Sequence, residues 1–318
     1  MSDSKSNDTV LSLFLYWLRE TYQRGFQVRE HGELITAADG EHALSIVVRT
    51  LVPFEDAAWE RRRALLEELI AEDLPARIAL WVPAGADLPR DEPRVSEFVA
   101  LVRQSALKLG PHERSYVPLP IELRMRKSQE TGGVVSVTGG LNPHWAKFTE
   151  RVRGSYDLDS TELHRLPESE DHLDALLDAI VERTKELEVG QITTLETIDA
   201  WTVQRLSGEG GVTIVGVPPA KTTDLGLAVR RNFRRTLVDV GSKLRGTAEK
   251  VRALVVLAPY ARIEQEGATT ALRGYDPALF TGIDFICLAA DGVIKLLIQP
   301  AAGVAPWVGT GPTAPKAT

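Results

Sequence analysis

The sequence contains a single cysteine, Cys287, among its 318 residues. One cysteine excludes an intramolecular disulfide framework and any zinc site built from several cysteines. No apolar run approaches the roughly 18 residues that a transmembrane helix needs. The polar N-terminal segment, residues 1–8, lacks the apolar stretch of a signal peptide, which predicts a cytoplasmic protein.

Several catalytic signatures are also missing. The glycine cluster at residues 208–211 lies between two predicted strands, so it predicts a hairpin rather than a phosphate-binding loop before a helix. No Gly-x-Ser-x-Gly motif is present. None of the six histidines pairs with another at the His-x-x-x-His spacing of a helical zinc site. These absences disfavour nucleotide hydrolases, nicotinamide-dependent oxidoreductases and α/β-hydrolases, and they predict no metal site of histidine and cysteine.

The residues that are present predict a globular α/β chain. Hydrophobic residues make up 43% and charged residues 25% of the sequence, close to the average for folded proteins. Apolar periodicity predicts helices over residues 10–22, 55–72, 171–181 and 224–244, and β-rich runs predict strands at 43–52, 77–82, 212–217 and 253–257. Hairpins are predicted at residues 117–126 with 134–138, and across the turn dipeptides Asp39-Gly40 and Asp291-Gly292.

The same order of elements occurs in both halves of the chain. Each half reads helix, three strands with a hairpin, helix, strand and terminal hairpin over about 130 residues, a usual domain size. This order predicts a tandem duplication, with domains at 9–140 and 170–300, an acidic linker at 141–169 and a disordered tail at 301–318. The alternative is the ordinary alternation of any α/β protein, since the two halves share few identical residues.

A helix, a three-stranded meander, a helix and a strand, in that order, resemble the αβββαβ core of the restriction-endonuclease-like superfamily, the PD-(D/E)xK nucleases and their inactive relatives. The resemblance implies a mixed central sheet in each half. It also implies a Mg²⁺ site made by an acid on the second strand and a Glu-x-Lys on the third. Mg²⁺ prefers carboxylate oxygens, and a nearby lysine can orient the attacking water.

The third strand of each half lacks these groups. Residues 45–50 contain no carboxylate and only one cation, Arg49, and residues 212–217 contain neither glutamate nor lysine. In the second half, Asp199 is the candidate acid on the second strand. The first hypothesis is therefore a non-catalytic nuclease-like protein that acts by binding or assembly. One alternative is a Mg²⁺-dependent nuclease with the unusual acid set Glu20, Glu33 and Asp39, and another is a structural, oligomer-forming protein.

One segment is strongly cationic although the whole chain has a net charge of -7. Residues 221–252 hold nine basic and three acidic side chains, and their arginines recur at the four-residue spacing of one helix face. Such rows can neutralise phosphates and bind nucleic acid without sequence preference. The candidate nucleic-acid-binding residues are Arg230, Arg231, Arg234, Arg235 and Lys243. An acidic protein is the other predicted partner. Alternatively, the basic residues form a solvated helix face or pair with the acidic linker of the same chain.

Overall fold

A computed structural model describes residues 2–51, 56–139, 151–165, 170–219, 225–257 and 274–300, together with Ala305 and Trp307. The α-helices of these ranges are α1 (Ser2–Tyr22), α2 (Ala57–Ala71), α3 (Arg94–Ala106), α4 (Glu170–Lys185) and α5 (Leu225–Arg245). The strands are β1 (Gln27–Glu30), β2 (Ile35–Ala38), β3 (Ala43–Thr50), β4 (Ala76–Trp81), β5 (Arg114–Gln129), β6 (Val135–Gly139), β7 (Ser155–Ser160), β8 (Ile192–Glu209), β9 (Val212–Val215), β10 (Val251–Leu257), β11 (Phe285–Ala290) and β12 (Val293–Ile298). Within the described ranges, no helix has both the length and the apolar character required to cross a membrane.

The first sheet has the strand order β1-β2-β3-β10-β11-β12. Strands β1, β2 and β3 form an antiparallel meander, β10 lies parallel to both β3 and β11, and β12 closes the sheet in antiparallel orientation. Both predicted turn dipeptides connect neighbouring antiparallel strands, and Gly40 and Gly292 adopt the positive φ angles that such turns need. The two hairpins at Asp39-Gly40 and Asp291-Gly292 are therefore confirmed.

The second sheet has the order β6-β7-β5-β8-β4-β9. Its centre is the long antiparallel pair β5 and β8, which runs from Arg114 opposite Gln204 to Arg126 opposite Ile192. Strand β4 pairs with β8 on one side and lies parallel to β9 on the other. All six strands fall between β3 and α5 of the chain, so the whole second sheet is inserted into the first.

This nesting confirms the α/β class with two mixed sheets, but it does not confirm the duplication. The first sheet combines β1–β3 from the beginning of the chain with β10–β12 from its end, so neither sheet follows the predicted domains at 9–140 and 170–300. The predicted linker is wrong in its middle, because β7 lies within residues 141–169 and pairs with β5 and β6. The predicted hairpin of residues 117–126 with 134–138 is also wrong, since β7 separates β5 from β6.

Helix α1 lies between the two sheets and joins their cores. Its side chains Val10, Phe14 and Leu18 are buried in one cluster with residues of β3, β10 and β11, and Trp81 and Val215 of the second sheet belong to the same cluster. Helix α5 covers the opposite face of the first sheet, while α2 and α3 cover the opposite face of the second. The layers therefore run α5, first sheet, α1, second sheet, and α2 with α3.

The β11–β12 turn adds polar contacts between the sheets. Arg114 Nη1 donates a hydrogen bond to the carbonyl oxygen of Asp291 at 3.1 Å, and the Asp291 carboxylate pairs with Arg165 at 3.3 Å. Trp81 Nε1 donates to Gln204 Oε1 at 3.2 Å, and the Gln204 amide reaches the carbonyl oxygen of Gly292. The first sheet is thus connected to the second through a turn at its own edge.

The predicted disordered tail is wrong at its two described residues. Ala305 and Trp307 are both buried, and the Trp307 ring stacks on Phe285 with 5.7 Å between ring centroids. Tyr22 and Phe26 contact the same indole at centroid distances of 5.3 and 5.6 Å. An aromatic side chain buries a large apolar area, so Trp307 is itself part of the core. The remainder of 301–318 lies outside the described residues.

Stability should depend on pH through Asp284, the residue immediately before β11. Its carboxylate accepts a hydrogen bond from the Arg252 backbone N–H at 2.8 Å, but burial raises its pKa above the ordinary value. The native state therefore holds this proton more tightly than the unfolded state, and stability falls as the pH rises through the interval between the two pKa values. We expect Asp284→Asn to raise the free energy of unfolding at pH 7 and to lose that advantage below about pH 3.8. Urea titrations at several pH values measure this difference, and a variant less stable than the wild type at pH 7 would contradict it.

Candidate nucleic-acid interface

Helix α5 positions the predicted arginines. Phe233, Leu237, Val240 and Leu244 recur at helical spacing and are buried against the first sheet. The opposite side of the same helix must face solvent, and there Arg231, Arg234 and Arg235 are all exposed. The side chain of Arg230, the fourth predicted arginine, lies outside the described residues. We call Arg231, Arg234 and Arg235 the arginine face.

Within the described ranges, no acidic side chain compensates the charge of the arginine face. None of its three guanidinium groups forms an ion pair with a carboxylate of the described residues, although arginines elsewhere in the chain do. Arg103, for example, pairs with Asp73 at 3.2 Å, and Arg151 pairs with two aspartates of α4. The predicted pairing of this helix with the acidic linker is not seen in the part of 141–169 that the structure describes.

Lys243, the fifth predicted residue, is placed differently. It belongs to a four-residue cluster with Glu33, Arg49 and Asp239, which we call the charge cluster. Lys243 Nζ and Arg49 Nη2 both lie 2.5 Å from Glu33 Oε1. The same two nitrogens lie 3.1 and 3.8 Å from Asp239 Oδ2. Lys243 is therefore a paired cation, whereas the arginine face has no ion-pair partner in the ranges that the structure describes.

The charge cluster favours the ionised forms of Glu33 and Lys243. The hydrogen bond from Lys243, together with the positive charges of Lys243 and Arg49, lowers the pKa of Glu33. In return, hydrogen bonds to Glu33 and Asp239 raise the pKa of Lys243. Two cations and two anions then balance, so the cluster is electrically neutral as a unit.

The three acids of the alternative nuclease site do not come together as a metal centre. Glu33 precedes β2 and Asp39 follows it, so they lie at opposite ends of one strand. Glu20 lies near the end of α1 and pairs with Arg19 at 3.2 Å. Asp39 Oδ1 accepts hydrogen bonds from the backbone N–H groups of Glu41 and His42 and thereby shapes the β2–β3 turn. Among the described residues, no group of three histidine, cysteine or acidic side chains is arranged to hold a metal ion.

Asp199, the candidate acid of the second half, has a structural role in β8. Its buried carboxylate accepts four hydrogen bonds, from the backbone N–H groups of His164 and Arg165, from His164 Nδ1 and from Trp201 Nε1. These donors saturate both oxygens and fix the segment after β7 against the second sheet. Sequence reasoning missed this role, because His164 and Arg165 fall in the segment predicted as a linker, about 35 residues away.

No family model matches the chain, and neither the curated proteins nor the solved structures contain a match to it.

Proposed function

We propose that the chain is a non-catalytic nucleic-acid-binding protein of nuclease-like fold, and that the arginine face of α5 is its contact surface. The observation that carries this proposal is a difference in pairing. The arginine face is exposed and meets no carboxylate of the described residues, while the candidate acids Glu20, Glu33 and Asp39 are engaged by basic groups of the chain itself. Cations without a described partner, beside carboxylates that already have one, favour binding of phosphates over metal-dependent cleavage.

The first sheet supports the nuclease-like part of the proposal. When the inserted second sheet is set aside, the chain runs α1, the meander β1–β3, α5 and then β10 parallel to β3. This order resembles that of the restriction-endonuclease-like core, and in this chain it occurs once, with its elements drawn from the two ends of the sequence. Strand β3 contributes Arg49 but no carboxylate, so the acid and lysine of the active relatives have no counterpart on it.

The spacing of the arginine face suits a phosphate backbone. Arg231 and Arg235 are one turn apart, about 6 Å along the helix axis at 1.5 Å per residue. Arginine presents several donors in a planar fork and binds phosphate oxygens through two hydrogen bonds. Three such contacts would give affinity that does not depend on base sequence and that falls as salt concentration rises.

The test compares two triple variants of equal charge. Arg231→Ala/Arg234→Ala/Arg235→Ala removes the arginine face, and Arg61→Ala/Arg94→Ala/Arg183→Ala removes three exposed arginines of α2, α3 and α4. Binding of a labelled 20-base-pair DNA and of its single strand is measured by fluorescence anisotropy between 50 and 200 mM salt. The salt slope is the steepness with which the logarithm of the binding constant falls with the logarithm of the salt concentration, and each lost phosphate contact lowers it by about 0.9 on duplex DNA. Between 50 and 200 mM salt, the fold-loss of affinity of the first variant should therefore be about 40 times smaller than that of the wild type.

The control triple should retain the wild-type slope. Equal losses in both triples would show that only net charge matters, and the arginine face would not be the interface. Failure of the wild type to bind either DNA at 50 mM salt would exclude nucleic acid as the partner. Tighter binding of polyglutamate than of DNA would instead favour an acidic protein partner.

Catalysis is tested separately. The proposal expects no cleavage of either DNA in the presence of Mg²⁺ or Mn²⁺. Metal-dependent cleavage that disappears in Glu33→Ala/Asp39→Ala would overturn the non-catalytic part and favour the alternative nuclease.

A further inference from the structure

Two cations of the charge cluster converge on one oxygen atom. Arg49 Nη2 comes from the first sheet and Lys243 Nζ from α5, and each lies 2.5 Å from Glu33 Oε1. Their second shared contact is Asp239 Oδ2, at 3.8 and 3.1 Å. A guanidinium and an ammonium group directed at one oxygen form the arrangement in which proteins bind a phosphate oxygen.

The cations are held more firmly than the acid that pairs with them. Arg49 lies on β3, an interior strand of the first sheet, and its side chain is 25% exposed, while the Lys243 side chain is 35% exposed. The Glu33 side chain is 62% exposed and lies in the turn between β1 and β2, whose residues 31–34 are all exposed. Strand β1, on the other side of that turn, is the edge of the sheet. Ion pairs between exposed side chains are weak, so Glu33 can exchange for another anion without disturbing the core.

We propose that Arg49 and Lys243 form a phosphate-binding site, and that the Glu33 carboxylate fills this site while no ligand is bound. This inference rests on the proposed function for its natural ligand, which is the backbone of a nucleic acid, but the site binds phosphate by its own chemistry. Displacing Glu33 leaves two cations against the single anion Asp239, so the site changes from neutral to positive when the glutamate leaves.

The site continues the arginine face along α5. Arg235, Asp239 and Lys243 are four residues apart in succession, so they lie in one row on the helix surface. A phosphate backbone that binds Arg231 and Arg235 and follows this row would therefore reach Lys243. In this arrangement Glu33 competes with the nucleic acid and lowers the affinity of the free protein.

The experiment uses the full chain with Glu33→Gln, which keeps the shape of the side chain and removes its charge. The matched control is Glu30→Gln, which neutralises an exposed glutamate at the end of β1 that has no ion pair within the described residues. Binding of inorganic pyrophosphate is measured by calorimetry at 50 mM salt. Glu33→Gln is expected to bind pyrophosphate at least about 10-fold more tightly than the wild type or Glu30→Gln, and Glu33→Gln/Lys243→Ala is expected to lose that gain.

Unchanged pyrophosphate binding in Glu33→Gln would overturn the inference, as would a gain that persists after Lys243→Ala. The DNA titration distinguishes this failure from a failure of the proposed function. Glu33→Gln should bind the DNA about 10-fold more tightly than the wild type at 50 mM salt, because no carboxylate has to be displaced from Arg49 and Lys243. Wild-type DNA binding through the arginine face without any effect of Glu33→Gln would leave the proposed function intact and remove the phosphate site. A tight pyrophosphate site in a chain that binds no DNA would support the site and exclude its assignment to nucleic acid.

Discussion

A fragment of residues 9–140 is expected to remain unfolded in isolation, whereas a fragment of residues 56–219 is expected to fold. The first fragment corresponds to the domain that the order of elements predicts. It retains β3 but lacks β10, which pairs with β3 from Leu44 to Thr50, and it retains β5 but lacks both of its partners, β7 and β8. Unpaired backbone groups and an uncovered apolar face on both strands leave it without a closed core.

The second fragment contains all six strands of the second sheet and the helices α2, α3 and α4 that cover it. The fragment lacks α1, so the face of the second sheet that contacts this helix would become exposed at Ala79, Trp81 and Val215. We therefore expect residues 56–219 to unfold cooperatively in urea at lower stability than the intact protein, and residues 9–140 to show no cooperative transition. Tryptophan fluorescence and circular dichroism report both, since Trp59 and Trp81 occur in each fragment. A cooperative transition in residues 9–140 would contradict the nested arrangement.

Local signals predicted the elements of this fold well, but not their partners. The turn dipeptides and the apolar stripe of α5 are decided by nearby residues, so both could be read from the sequence. The apolar and β-branched residues of β3 predict a strand, but they do not predict which strand pairs with it. Its partner β10 lies about two hundred positions away. Two halves with the same order of elements are therefore compatible with a duplication and with an insertion.

The missed strand β7 shows a second limit. Its sequence, SYDLDS, is polar in composition and was predicted as part of a linker. Tyr156 and Leu158 alternate with Asp157 and Asp159, and only the first two are buried, so the period of a half-exposed strand is present over a very short run. The polar composition of these six residues predicted a linker, because two apolar positions are too few to establish the alternation of a strand.

In the candidate site, too, local features could be predicted from the sequence and long-range contacts could not. The arginine face follows from the periodicity of one helix, and its three arginines are exposed in the structure. The pairing of Lys243 with Glu33 joins residues 210 positions apart, and the sequence gives no sign of it. Among the described side chains of α5, charge counted along the chain therefore treated one paired cation, Lys243, as free.

Trp307→Ala is expected to destabilise the protein by about 3 kcal/mol, a typical cost of removing a buried aromatic side chain. The residue belongs to the predicted disordered tail, yet it is only 3% exposed and contacts Phe285, Tyr22 and Phe26. Phe285 lies on β11 and Tyr22 ends α1, so the indole joins two elements of the central core. Truncation after residue 300 should cost at least as much, because it removes the same ring. Urea unfolding of the three proteins measures the effect.

The indole nitrogen provides a sharper comparison. Trp307 Nε1 is buried and has no hydrogen-bond acceptor in the part of the chain that the structure describes. A buried donor without a partner costs about 1–3 kcal/mol, so Trp307→Phe removes this penalty while it keeps an aromatic ring against Phe285. We therefore expect Trp307→Phe to cost clearly less than Trp307→Ala. If the alanine variant and the truncated chain both stayed within about 0.5 kcal/mol of the wild type, as surface substitutions do, Trp307 would not be part of the core and the tail would be dispensable. If phenylalanine were as costly as alanine, the indole N–H would have a partner that stabilises it, and the tail would be held by a polar contact in addition to its ring.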